Sequence, residues 1–200
     1  LAPMIPAYTG VMLATSLLHI DRLDRGFQLY YWIFIYVFTP LAGVFFYFWH
    51  ERRRATWAVE SRPVTRSVRT AAVVAGGATA AYAVVCFGWP DTIVRLWPWT
   101  ISPLMVRVFA SWLFAFAGGL LWFGRERDWD RMRPVADMLL LSSGVLALML
   151  VLHRGDVRWD TPAAWLFAAG IVGISLLGTA AIWLQRPGHS ATRPNTRATR

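Results

Sequence analysis

Six stretches of this 200-residue chain carry no acidic or basic side chain apart from histidine: residues 1–20, 26–50, 70–90, 108–124, 138–153 and 161–185. A bilayer's hydrocarbon core is about 30 Å thick, and a helix crosses it in about 20 mostly apolar residues. At least three of the runs reach that length unaided. Apolar side chains make up 56% of the chain and charged ones 16%, against about 45–50% and about 25% in soluble domains. The expected fold class is therefore all-α, a polytopic transmembrane helical bundle of about six spans: 3–20, 29–50, 71–89, 103–123, 134–152 and 162–185. These form one domain over 1–186; the polar segment 187–200 is expected to be a disordered cytoplasmic tail.

All 20 basic residues are arginine. Without lysine, neither a Schiff base nor the phosphate-binding loop of common nucleotide hydrolases can be built. The single cysteine, Cys86, excludes an internal disulfide and any cysteine-pair metal site, and reads as a small packed residue.

The arginines are distributed unevenly. Segments 51–70, 125–133 and the tail from 186 hold 14 of them, whereas 21–28, 91–102 and 153–161 hold 5. The two sets alternate along the chain, as six crossings require, and the positive-inside rule then places the rich segments and both termini in the cytoplasm. Each set carries five acids, so the rich side nets +9 and the other side zero. The partner implied by this charge is membrane lipid, specifically an anionic inner leaflet, and no nucleic acid is needed to account for it. The expected location is the inner (plasma) membrane of a bacterium. The first span, with Pro3, Pro6, Thr9, Thr15 and Ser16, has no basic residue before it and so does not read as a cleavable signal peptide.

Local signals refine this map. Tyr30, Tyr31 and Trp32 at one end of the second span and Tyr47 and Trp49 at the other form two aromatic belts, with Pro40 between them as a bend or hinge. Ser61 with Pro63 reads as a helix start, and Arg66 and Arg69 share a face from which they can snorkel to phosphates. Small residues recur every four positions at Ala72, Gly76 and Ala80, at Ser111, Ala115 and Gly119, and at Ala169 and Gly173, marking seams for close helix packing. Asp91 to Trp97 fits a short surface helix. Ser102-Pro103 and Thr161-Pro162 read as N-caps followed by first-turn proline.

The stretch Trp97-Pro-Trp-Thr-Ile-Ser-Pro-Leu104, followed by Arg107, Trp112 and Glu126-Arg-Asp-Trp129, resembles uncharacterised multi-pass membrane proteins of high-GC bacteria over residues 89–186. The resemblance implies topology and no site residues.

Two charges fall inside spans, where each is costly and marks a candidate site: Arg107 and Asp137. Arg107 is expected to snorkel or to hold Asp91; Asp137 favours the N-terminal dipole of its helix. On the arginine-poor side, His19, Asp21 and Asp24 follow the first span and His153, Asp156 and Asp160 follow the fifth. Convergence would make a divalent-metal site, or a haem site between the two histidines. The interleaved Arg22, Arg25, Arg154 and Arg158 favour loop salt bridges instead, and no cofactor is predicted. The spans hold almost no amide or carboxylate groups, which favours a non-enzymatic structural or accessory subunit with a protein partner or self-association in the membrane. The alternatives are a carrier or channel-like component for a small solute, and a metal-dependent enzyme built on the histidine–aspartate group.

Overall fold

The computed structural model describes residues 4–22, 25–53 and 63–185, and among them there are seven α-helices, one 3-10 turn and no strand. The helices are α1 (Met4–Leu18), α2 (Phe27–Arg53), α3 (Arg66–Gly88), α4 (Pro90–Leu96), α5 (Pro103–Arg125), α6 (Trp129–Leu152) and α7 (Pro162–Leu184), with the turn at Ile20–Arg22. Five of them, α2, α3, α5, α6 and α7, are long and apolar enough to cross a membrane; α1 is shorter, at 15 residues. The cap expected at Ser61 and the tail 187–200 lie outside the described residues.

The antiparallel pair α3/α5 is the centre of the bundle. On its other flank α5 packs on α1, which carries α2, while α6 and α7 form a second antiparallel pair. A core at the arginine-rich end joins the two groups: Val64, Val68 and Ala72, Leu120 and Phe123, Trp129, Met132, Val135, Ala136 and Leu139, and Ala181. At the opposite end Cys86, Ile93, Trp97, Val106 and Ala110 form a smaller core, and Trp97 and Trp99 reach Phe167 of α7 at ring separations of 6.3 and 5.1 Å.

Small residues set the helix separations. A Cβ added at Gly76 would lie 3.0 Å from Leu120 Cβ and from the Leu121 backbone nitrogen, so α3 approaches α5 within backbone reach there. Gly124 lies against Val73, Gly119 against Met4 of α1, and Gly178 of α7 against Leu140 and the Ala136 carbonyl of α6. Ser111 and Ala115 are buried and Ala80 is half-buried. Ala169 and Gly173 occupy an exposed face of α7, with nothing within 4 Å of a Cβ at Gly173.

Gly76→Ala is accordingly expected to destabilise the bundle by about 1–3 kcal/mol through overpacking. Gly77→Ala, where a Cβ meets nothing within 4 Å, should be neutral or stabilising by up to about 1 kcal/mol through helix propensity. Equilibrium unfolding of both variants in one detergent checks the contrast.

Several boundaries differ from those expected. Helix α6 begins at Trp129, with Asp128 capping Asp130 N at 2.9 Å, so Pro134 lies inside the helix and not at its start. The hydropathy pattern is interrupted there by charges, yet Trp129 and Met132 continue the buried stripe of Val135, Ala136 and Leu139. Pro63 is extended, in a single bridge to Asp128, with Val64 N bonded to Arg127 O at 2.9 Å; α3 starts after Thr65. Helix α2 runs through Pro40 unbroken. Ser102 does accept from Met105 N, at 3.3 Å, whereas the Thr161 hydroxyl donates to Arg158 O instead of capping α7.

Candidate functional site

Arg107 sits one turn into α5, where helix packing turns it toward the end of α3. Its Nε donates to the Phe87 carbonyl at 3.2 Å. Phe87 belongs to the last turn of α3, whose carbonyls lack partners within the helix and carry the negative end of the dipole. The Arg107 Nη1 donates to His19 Nε2 at 2.7 Å. A guanidinium has no acceptor atom, so the ring nitrogen must accept, and His19 carries its proton on Nδ1 in this arrangement. The guanidinium also stands 5.9 Å from the Phe87 ring centroid. One side chain thus ties the end of α1, α3 and α5 together, where snorkelling or a pairing with Asp91 was expected.

A matching contact closes the other end of the same helix pair. Arg69, in the first turn of α3, donates from Nε to Gly124 O in the last turn of α5 at 3.0 Å, and so turns inward where phosphate snorkelling was expected. Each of these antiparallel helices therefore has its C-terminus capped by an arginine from the start of the other. Such charge-assisted bonds are the stronger kind, and here each also opposes a helix dipole.

Beside Gly124 lies a buried ion pair absent from the sequence-based candidates. Arg131 Nη1 and Glu126 Oε2 are 2.7 Å apart, with the two side chains 21% and 6% exposed. Glu126 Oε1 also accepts from Arg127 N at 3.0 Å, and the Arg131 guanidinium is 5.6 Å from the Trp122 ring centroid. The Gln185 amide, at the end of α7, lies against the residues that precede α3; turned so that both its ends are satisfied, its nitrogen donates to Pro63 O at 3.3 Å and its oxygen accepts from Thr65 N at 2.9 Å. The only available sequence signal was the burial periodicity of Trp129 and Met132, which carries Arg131 to the edge of the core.

The residues expected to converge on the arginine-poor side are placed as follows. His19 contacts Arg107. His153 Nδ1 lies 3.3 Å from Asp156 Oδ2, and both side chains are exposed. Asp21 and Asp160 are exposed, and Asp24 lies outside the described residues. Arg158 donates to the Trp97 carbonyl and its backbone nitrogen to Pro98 O, fastening the α6–α7 loop to the α4–α5 loop. Among the described residues no group of three His, Cys, Asp or Glu side chains could hold a metal ion. Asp137 is half-exposed and lies 3.7 Å from Arg133.

The fold defines a multi-pass helical membrane protein. No family model matches the chain, and no curated protein or solved structure matches it.

Proposed function

We propose that the chain is a non-enzymatic accessory subunit of a bacterial inner membrane, oriented with its arginine-rich end in the cytoplasm. The observation that carries this reading is the use made of the interior polar groups, which join helices or close their own turns. Arg107 and Arg69 cap neighbouring helices, and Glu126 pairs with Arg131. Ser143 meets Ser175 across the α6/α7 contact at 2.9 Å, while Ser111, Thr9 and Thr15 bond back to carbonyls of their own helices. Binding capacity then lies on the outward faces. The exposed Ala169 and Gly173 of α7 offer a close-approach surface to a partner helix in the membrane.

The test is affinity purification of the full chain from native membranes in mild detergent. The expected result is a second membrane polypeptide, or a second copy, at fixed stoichiometry. It should be lost with Gly173→Leu and kept with Gly144→Leu, where a Cβ likewise meets nothing within 4 Å. Recovery of the lone chain, or equal retention by both variants, contradicts the proposal.

A further inference from the structure

Helices α1 and α2 reach the rest of the bundle mainly through α1, which packs on α5. Three contacts fix that packing along its length. Met4 lies against Gly119, the Tyr8 ring stands 4.6 Å from the Trp112 ring, and at the far end His19 Nε2 accepts from Arg107 at 2.7 Å. The first two are packing contacts that no proton alters. The third depends on one.

Both members of the His19–Arg107 contact are bases. The guanidinium stays charged at every pH a folded protein meets, so the bond exists only while His19 Nε2 keeps its lone pair. An imidazolium carries a proton on each nitrogen and accepts on neither. Protonation therefore removes the bond and sets two like charges side by side, at half-buried positions where water screens them less than at the surface. Few other charges face the pair. On the segment after α1, Asp21 and Arg25 are exposed, and the side chains of Arg22 and Asp24 lie outside the described residues. The last turn of α3 holds no charged side chain. On α4, Asp91 and Arg95 are exposed, and Arg95 turns back to the Asp91 carbonyl at 3.4 Å.

We propose that His19 and Arg107 form an acid-released latch. Above about pH 6.5 the neutral imidazole ties the end of α1, and α2 with it, to α5; below that pH, protonation frees it. The freed form takes up a proton that the latched form excludes, so the latch strengthens as pH rises and weakens as pH falls through the histidine range. Arg107 keeps its bond to the Phe87 carbonyl when His19 leaves, so α3/α5 stays closed and the change is confined to α1 and α2. The latch stands apart from the accessory role, since it needs neither a partner nor a given orientation.

Hydrogen exchange of the full chain in detergent, read by mass spectrometry at about pH 7.5 and about pH 5.0, tests the latch. His19→Gln is the reference at each pH, because its amide oxygen accepts from Arg107 and does not titrate. At the higher pH the α1 amides of wild type and His19→Gln should exchange alike. At the lower pH those of wild type should exchange about tenfold faster, within the ceiling of about thirtyfold that one proton allows about 1.5 units below the histidine value. His19→Lys, a cation at both pH values, should exchange fast at both. Adding His19→Gln to Arg107→Leu should change nothing at either pH. Amides around Gly76, inside α3/α5, should not distinguish the variants at position 19, which shows that each is folded. Equal exchange of α1 in wild type and His19→Gln at the lower pH overturns the proposal. Slower exchange in wild type there also overturns it, in favour of an imidazolium held by Asp21 or Asp24.

Discussion

Arg131→Met is expected to destabilise the protein by about 3–5 kcal/mol, because it leaves the Glu126 carboxylate buried without its cation. Glu126 is 6% exposed at its side chain and Arg131 is 21% exposed. The reverse change, Glu126→Gln, strands a guanidinium that still reaches water and the Trp122 ring, so its expected effect is smaller, about 1–3 kcal/mol. The double variant should be close to wild type, since replacing both members of a buried pair removes the desolvation cost along with the attraction. Equilibrium unfolding of the four proteins in mixed micelles gives the coupling energy, expected at about 2 kcal/mol or more. Additive single effects would show that the pair is solvated and does not secure the α5–α6 turn.

Arg107→Leu is the second large change, expected to destabilise by about 2–4 kcal/mol. It removes a charged donor from Phe87 O and from His19 together, and a hydrogen bond to a charged group contributes about 1.5–3 kcal/mol. Arg107→Lys should recover only part of this, because one ammonium cannot reproduce the two-armed fork that reaches α3 and α1 at once. His19→Ala should matter in the wild type and add little once Arg107 is leucine. Arg95→Leu, on the exposed face of α4, should stay within about 0.5 kcal/mol. The same unfolding assay reports all of these; a loss for Arg95→Leu equal to that for Arg107→Leu would remove the capping account.

The helical bundle was legible from the chain because uncharged length is a coarse signal that tertiary structure cannot easily override. The short helix after Trp89 and the cap at Ser102 were legible for a similar reason, as proline and hydroxyl positions act locally. What pairs with what was not. Arg107 was recognisable as an anomaly, but its partners, Phe87 O and His19, depend on how α1 and α3 approach α5. Arg69 was read as reaching out to phosphates, and Glu126 was counted only among the charges of segment 125–133, although Trp129 and Met132 carry the buried stripe of α6 into that segment. Among small residues, spacing of four found Gly76 and Gly119, while Gly124 and Gly178, which make equally close contacts, belong to none of the runs singled out. A periodic stripe shows that a helix can be approached closely; it does not say which face of the helix a neighbour takes.

The two capped ends of α3/α5 are expected to lie on opposite sides of a membrane, and cysteine accessibility separates this from an arrangement with both ends on one side. In a Cys86→Ala background, Arg127→Cys and Gly155→Cys place one thiol at each end, both at exposed positions. Reaction with a membrane-impermeant maleimide in intact cells is expected at Gly155→Cys alone, with Arg127→Cys labelled only after the membrane is opened. Labelling of both thiols from the exterior of sealed cells would contradict the account.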